Sequence, residues 1–548
     1  MAKRWIDIAN TFTIWIFIAF ISGSQAWTSL DTPDSEFHAS MAIYGSDVTD
    51  RAAIPVYYWT RLGYIAPARA LTSLFGPVTG LEILRLILLL LIVSAIYFTL
   101  RAFANQLNAS LLTLLISLST VLLSYLGNPY PTAVVMTGLF GLIALLLTGN
   151  SIWKEVAAGA ILAWLVITNP YGAILGGVLF LSILFVKPRK ENSWKSISRR
   201  GALGIIGFLI AFGSLLLIAR AMFPKLDWWG TYIYWSTALN QADYVFDLYR
   251  WTWDPSLLVV LIAAIVSWIT FVQYRNSIQA RFSVAIATAI PLFALIYWKI
   301  SPNAFLEFPK YQAMLWPTAL MAMGLAATAR LPEAKMKWPR VLTAGVAVAI
   351  VLVSGHSLLT FELWQSRILA VVAVIVFFLG RRRWTIIVIG IAISFSITQI
   401  LQNSRDSYGV SSQHLYGNAF RANDVELKMN SAILSQDFIL SKTNPGDRAL
   451  TWVDAEWHPG EQSLLPLAGF QLWGANEAEH GPLVTGETLT RWQAISPLSI
   501  ILYGKTMGAV LKFWNSIPKE NLPTVPECIE VTWVEPNIAY TCVTRLTW

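Results

Sequence analysis

Three carboxylates and an imidazole crowd one short stretch of this chain, Asp31-Thr32-Pro33-Asp34-Ser35-Glu36-Phe37-His38, with Gly45, Asp47, Asp50 and Arg51 close behind. A carboxylate held beside a hydroxyl can take its proton as the oxygen attacks, so Asp34, Asp31 and Glu36 are candidates for acid–base work. The next stretch, Val56 to Pro77, mixes Tyr57, Tyr58, Trp59, Tyr64 and Phe75 with Arg61 and Arg69. That composition predicts helices lying on a membrane surface rather than crossing it. Carboxylates beside a basic, aromatic platform of this kind suit chemistry on a lipid-linked anionic substrate. The plainer reading of the same residues is a solvated loop with helix caps, Asp34 and Ser35 starting a helix through Met41 and Tyr44.

Further chemistry-bearing residues lie downstream. Glu307-Phe308-Pro309-Lys310-Tyr311 runs on to Leu315-Trp316-Pro317; its plain reading is a Lys–Tyr pair snorkelling at an interface. The stretch from Phe223 to Pro255 holds Lys225, Asp227, Trp228 and Trp229, with more aromatics and aspartates after them. Tryptophans there read as an interfacial belt, or as a wall on which a sugar stacks with one carboxylate in reach. Two similar turns, Asn128-Pro129-Tyr130-Pro131 and Asn169-Pro170-Tyr171, break helices where a substrate cavity would open. Glu456 with His458, and Glu477 and Glu479 with His480, have no fixed ligand spacing, so a divalent metal is not implied.

The elements that must carry these residues are membrane helices. Of 548 residues, 56% are hydrophobic and 13% charged, against roughly 25% charged in soluble chains. Apolar runs long enough to cross a ~30 Å hydrocarbon core recur along the chain, and in lipid such runs must be helical to satisfy their backbone groups. Hydropathy and breakpoints give about thirteen spans, near 8–25, 81–100, 109–126, 132–148, 156–168, 172–187, 201–222, 257–273, 282–298, 311–330, 341–360, 368–380 and 384–402. Alternate loops carry Lys3-Arg4, Arg101, Lys154, Lys187 to Arg200, Arg275 with Arg281, Arg330 to Arg340, and Arg381 to Arg383. By the positive-inside rule these face the cytoplasm, which puts the N-terminus inside and the C-terminal segment outside. The +8 net charge therefore reports topology and contact with anionic membrane lipid, not nucleic acid. The first span also has the basic start, apolar centre and Ser24-Gln25-Ala26 site of a signal peptide; the acidic loop beyond it favours a retained anchor.

The chain divides into a membrane domain over 1–402 and an extracytoplasmic domain over 403–548, where polar residues return. In the latter, Asn444-Pro445-Gly446-Asp447 reads as a turn and Ala449 to Val453 as a strand. Glu527 to Val534 and Ala539 to Leu546 flank Glu535-Pro536-Asn537 as a hairpin, and the expected class is α/β. Both cysteines, Cys528 and Cys542, lie here and are expected to pair in an oxidising compartment, although the simplest turn register does not set them opposite each other.

The acidic stretch resembles the first outer loop of GT-C glycosyltransferases, particularly the branch of protein O-mannosyltransferases and the lipid A aminoarabinose transferase. There an Asp-Glu pair precedes an aromatic residue by a helical turn. Here Asp34 leads, Ser35 replaces the usual Glu and His38 the usual Tyr; Asp31 is the alternative lead. Glu307-Phe308-Pro309-Lys310-Tyr311 is similar to that family's Glu-x-x-Arg-Tyr signature, with Lys for Arg. The resemblance implies an α-helical, polytopic GT-C fold and transfer of a sugar from a polyprenyl-phosphate donor to an extracytoplasmic glycan, lipid or protein acceptor. It makes Asp34 the general base and places Lys310 and Tyr311 at the donor phosphate; the candidate substrate contacts, from the residues themselves, are His38, Glu307, Asp227, Trp228 and Trp229. The leaving phosphate gains negative charge, which Lys310, Arg61, Arg69 or Lys225 can stabilise. No covalent sugar–enzyme step is implied, so inversion is expected. A transporter or flippase is the alternative; it predicts inverted repeats and mid-membrane charges, whereas no clear internal repeat is found and most ionisable residues sit in loops. An envelope scaffold would not explain the acidic loop.

Overall fold

The computed structural model describes residues 2–22, most of 38–45, 60–148 and 151–186 with short breaks, 194–222, part of 227–233, 255–300, 313–330, most of 434–443, 448–453, 498–517 and most of 525–546. Helices dominate: α1 (Ala2–Ser22), α2 (Leu62–Phe75), α3 (Pro77–Arg101), α4 (Gln106–Ser117), α5 (Thr120–Gly127), α6 (Thr132–Leu147), α7 (Ile152–Val166), α8 (Pro170–Val186), α9 (Trp194–Met222), α10 (Pro255–Gln273), α11 (Ile278–Ile300) and, after a 3-10 turn at Ala313–Leu315, α12 (Trp316–Arg330). Among the described residues, three segments are long and apolar enough to cross a membrane on their own: Thr79–Arg101, Ile197–Ala221 and Ile278–Tyr297. Shorter apolar helices include Thr132–Leu147 and Pro170–Val186. Ile205, Ile206, Leu209, Ile210, Leu217 and Ile218 of α9 are all exposed, a surface stable only against lipid. The chain is a helical polytopic membrane protein. The spans expected at 341–360, 368–380 and 384–402 lie outside the described residues.

One expected span differs. The apolar run 109–126 is two helices, α4 and α5, parted at Leu118, whose N–H still bonds the Leu114 carbonyl. The break is a local step in the backbone that hydropathy, taken over a window, averages away.

The chain forms two compact units, 1–23 with 85–126 and 131–416, and 24–84 with 127–130 and 417–548. In the first, α1 is clasped at its start. Tyr97 Oη donates to Asp7 Oδ1 at 2.7 Å, Arg101 Nε does so at 3.0 Å, and Asn10 Nδ2 donates to Ser110 Oγ at 3.0 Å. Farther along, Trp15 Nε1 donates to the Leu86 carbonyl at 3.0 Å. Helices α7 and α9 touch backbone to backbone. A Cβ on Gly159 would strike the Gly204 carbonyl, and one on Gly207 the Val156 carbonyl, the close approach that small residues permit between membrane helices. The buried Glu155 carboxylate accepts from Arg200 of α9 beside this seam.

Four other helices of this unit align their ends through a chain of contacts. Gly172 of α8 lies against Val135 of α6, and the Tyr171 ring packs at 4.3 Å, tilted, against Tyr297 near the end of α11. Ser283, near the start of α11, donates to the Ala322 carbonyl in the middle of α12 at 2.7 Å. The starts of α6, α8 and α12 and the finish of α11 therefore share one end of the group, and the 3-10 turn before α12 packs on α6.

The second unit contains a four-stranded sheet, β1 (Arg448–Val453), β2 (Leu498–Gly504), β3 (Glu527–Val534) and β4 (Asn537–Leu546), in the order β1-β2-β4-β3. β1 and β2 are parallel; the other pairs are antiparallel. Ile500, Leu502 and Cys542 alternate onto one face under Val510, Phe513 and Trp514 of α13 (Met507–Ser516). On the opposite face Thr541 hydrogen-bonds Ser435, which lies in helical backbone, at 2.8 Å. Cys528 and Cys542 form a disulfide directly across β3 and β4. The simple register fails because a bulge between Thr532 and Val534 inserts one extra residue on β3. That shift brings the two cysteines opposite each other.

Candidate active site

The described part of the candidate site lies in the second unit. Residues 38, 39 and 41–43 are helical and end at Gly45, whose φ of 61° is left-handed and whose N–H bonds the Met41 carbonyl at 3.0 Å. Glycine at such a helix end carries no Cβ penalty. Helix α2 satisfies the last carbonyls of this short helix. Thr72 Oγ1 donates to Ala42 O at 2.7 Å, and Arg69 Nη1 donates to Ile43 O at 3.1 Å. A Cβ at Gly45 would overlap the Arg69 guanidinium, which would have to move aside. Arg69 is thus engaged as a fastening between α2 and the segment that follows the acidic loop.

At the other end of that segment His38 is 1% exposed. Its ring meets Tyr64 of α2 edge-on at 6.1 Å and Tyr130 of the Asn-Pro-Tyr-Pro turn at 5.2 Å. Burial pushes the Tyr64 phenol far above its usual range, so it stays protonated at any physiological pH. Arg61 is buried at the start of α2, its carbonyl accepting from Tyr64 and Ile65 N–H. The arrangement is a buried, aromatic-walled support at the start of the 38–45 segment. Asp31, Asp34 and Glu36 lie outside the described residues, as do Lys225, Glu307, Lys310 and Tyr311.

Asp227, Trp228 and Trp229 belong to the first unit. Asp227 Oδ1 accepts from Gly230 N–H at 3.0 Å, the role of a helix cap. Trp228 is buried, Trp229 is 53% exposed, and both rings pack on Phe212 of α9, as belt residues do. Among the described residues no three His, Cys, Asp or Glu side chains gather as a metal site would require.

Tyr130 and Tyr171 stand out in the sequence only as parts of two helix-breaking turns, with no role assigned to either ring. Tyr130 and Tyr171 share the tripeptide Asn-Pro-Tyr, and each packs its ring into a buried aromatic set, Tyr171 with Tyr297 and Phe293. The repeated tripeptide was the available signal. Asn169 Oδ1 caps α8 by accepting from Tyr171 N–H at 2.9 Å, with Pro170 in the first-turn position that needs no donor. Arg85, at the edge of an apolar run in the sequence, is buried within α3.

The sequence matches no protein-family model and no curated protein. Among solved structures, the chain is similar to ArnT from Cupriavidus metallidurans bound to undecaprenyl phosphate, at 14% identity and a TM-score of 0.50, over 99% of this chain and 98% of that one. The same protein in the apo state gives a TM-score of 0.49 over the same shares. The Archaeoglobus fulgidus oligosaccharyltransferase complex with Zn and sulfate gives 0.38 at 11% identity, over 89% of this chain and 67% of that one. At such identities the first likeness is one of fold, and it runs through nearly the whole of both chains.

Proposed function

From a chain that carries the GT-C fold, we propose a membrane glycosyltransferase that moves a sugar from a polyprenyl-phosphate donor to a hydroxyl acceptor on the extracytoplasmic side. The observation that carries this reading is the fastening of the 38–45 segment onto α2 by Thr72 and Arg69, with His38 packed between Tyr64 and Tyr130. An acidic loop anchored this firmly at its exit suits a positioned base. Asp34 takes the proton of the acceptor hydroxyl while its oxygen attacks the anomeric carbon. The bond from that carbon to the donor phosphate oxygen breaks, the lipid phosphate leaves with the electron pair, and configuration inverts. Lys310 and Tyr311 receive the phosphate as its charge grows, with Arg61 and Lys225 as further cations. Arg69 contributes through position.

The test is transfer by purified protein given a panel of polyprenyl-phosphate sugars, pentose, hexose and aminosugar, with envelope glycan, lipid and protein acceptors. Release of polyprenyl phosphate coupled to acceptor glycosylation is expected with at least one pair. Asp34→Asn keeps the volume and loses the base, so it should cut turnover by ~10²–10⁴ while donor still binds. Asp31→Asn should cost less. If neither substitution changes turnover, the reading fails; if only Asp31→Asn does, the base is Asp31.

A further inference from the structure

The shared end of α6, α8, α11 and α12 holds polar groups that the protein itself leaves unserved. Thr132 Oγ1, Trp316 Nε1 and Thr318 Oγ1 have no hydrogen-bond partner, and the three residues are 1%, 7% and 0% exposed. Buried polar groups almost always have a partner, and one without marks a place where something else supplies it. Thr132 opens α6 and Trp316 opens α12. The first turn of α6 is buried through Val135, and its N-cap is Pro131, which has no side-chain acceptor to offer the free N–H groups. A buried helix start without a cap calls for an external acceptor, and both helix starts present the positive end of their dipoles. Neither α6, α8 nor α12 has an acidic residue in its first turn, so no fixed carboxylate serves as that acceptor or repels an anion. The indole N–H is a donor only. The requirement is therefore for oxygen acceptors, preferably negative.

We propose that the converging starts of α6 and α12 form an oxyanion nest for the phosphate of the lipid-linked donor, with Thr132, Trp316 and Thr318 as its side-chain donors. The inference rests on the glycosyltransferase reading for the identity of the anion, and on the helix ends alone for the place. Fixed donors and two helix dipoles stabilise a phosphate most when its charge is greatest, as it departs from the sugar.

The experiment measures binding and thermal midpoint of the full-length protein in detergent, as wild type and as Thr132→Val, Thr318→Val and Trp316→Phe. The probes are a polyprenyl monophosphate, the matching uncharged polyprenol and inorganic phosphate. Thr132→Val and Thr318→Val remove a donor with little change of shape, whereas Trp316→Phe removes a donor and a ring and should lower the midpoint by opening a cavity. The ligand-free midpoint of the two valine variants should stay level or rise, since an unpartnered polar group is being deleted, while polyprenyl monophosphate should bind all three about tenfold or more weakly and polyprenol unchanged. Variants that bind polyprenyl monophosphate as wild type does overturn the nest and leave the glycosyltransferase reading standing. A lowered ligand-free midpoint of the valine variants with unchanged affinity overturns it too, by making the two threonines structural. Inorganic phosphate bound as tightly as the lipid would make this a free-phosphate site and overturn the assignment to the donor. A wild type that binds no polyprenyl monophosphate would sink both.

Discussion

Replacing Gly45 by alanine tests the fastening of the acidic segment at its tightest point. Two costs add there. A left-handed φ of 61° costs a non-glycine residue roughly 1–2 kcal/mol. The new Cβ also collides with the Arg69 guanidinium, which must swing away and give up its bond to the Ile43 carbonyl. A hydrogen bond to a charged group is worth about 1.5–3 kcal/mol. The sum, about 2.5–5 kcal/mol, falls on local opening of the 38–45 segment. Hydrogen exchange is the fitting assay, because such segments open without global unfolding. The amide of Gly45, bonded to Met41, should exchange roughly a hundredfold faster or more, at 1.4 kcal/mol per tenfold. In an Arg69→Ala background the collision and its hydrogen bond are already gone. There Gly45→Ala should add only the backbone cost, about 1–2 kcal/mol. The coupling between the two substitutions is thus ~1.5–3 kcal/mol. Strictly additive effects would refute the steric argument, and unchanged exchange in the single variant would refute the whole account of the fastening.

Lys310→Ala should weaken donor binding more than acceptor binding, read as separate affinities; an unchanged donor affinity returns Lys310 to a snorkelling role. Single cysteines introduced at Ser196 and Ser463 should react with an impermeant thiol reagent from opposite faces of the membrane, and labelling from one face breaks the topology derived from loop charge. Removing the disulfide as Cys528→Ala with Cys542→Ala, a separation of 14 residues, should cost the sheet unit about 3 kcal/mol in a chemical-denaturation curve. Gly207→Val, which drives a side chain into the Val156 carbonyl, should part α7 from α9 and lower the thermal midpoint. Unaltered melting would mean the seam can separate without loss.

Apolar helices were legible because lipid demands an unbroken run of nonpolar residues and a closed backbone ladder. β1, β3 and β4 were legible within a residue or two because turn residues bracket alternating ones. Illegible features are those decided between distant residues or by a single backbone step. The bulge that sets Cys528 against Cys542 adds one residue and leaves no mark on composition. The meeting of His38, Tyr64 and Tyr130 spans more than ninety residues of chain and follows from no local period. Arg85 reads as the margin of a span, yet neighbouring helices bury it. Asp227 among tryptophans suggested a sugar wall, whereas locally its carboxylate is occupied as a cap, a role residue type alone does not distinguish from catalysis.

The clasp on α1 has a consequence for how the protein is made. Asp7 and Arg101 are 94 residues apart, and Asn10 waits on Ser110 across 100. At ribosomal speeds of ~5–20 residues per second, the first helix emerges roughly 5–20 s before its partners exist. Through that interval a helix bearing an unpaired carboxylate, a carboxamide and an indole has to be sheltered or left tilting near the insertion machinery. α1 becomes a fixed part of the structure only when α3 and α4 arrive to receive it. A signal peptidase cut during the delay would remove the strand of contacts on which α3 closes, so the window in which this helix resembles an export signal is also the window in which it must escape cleavage.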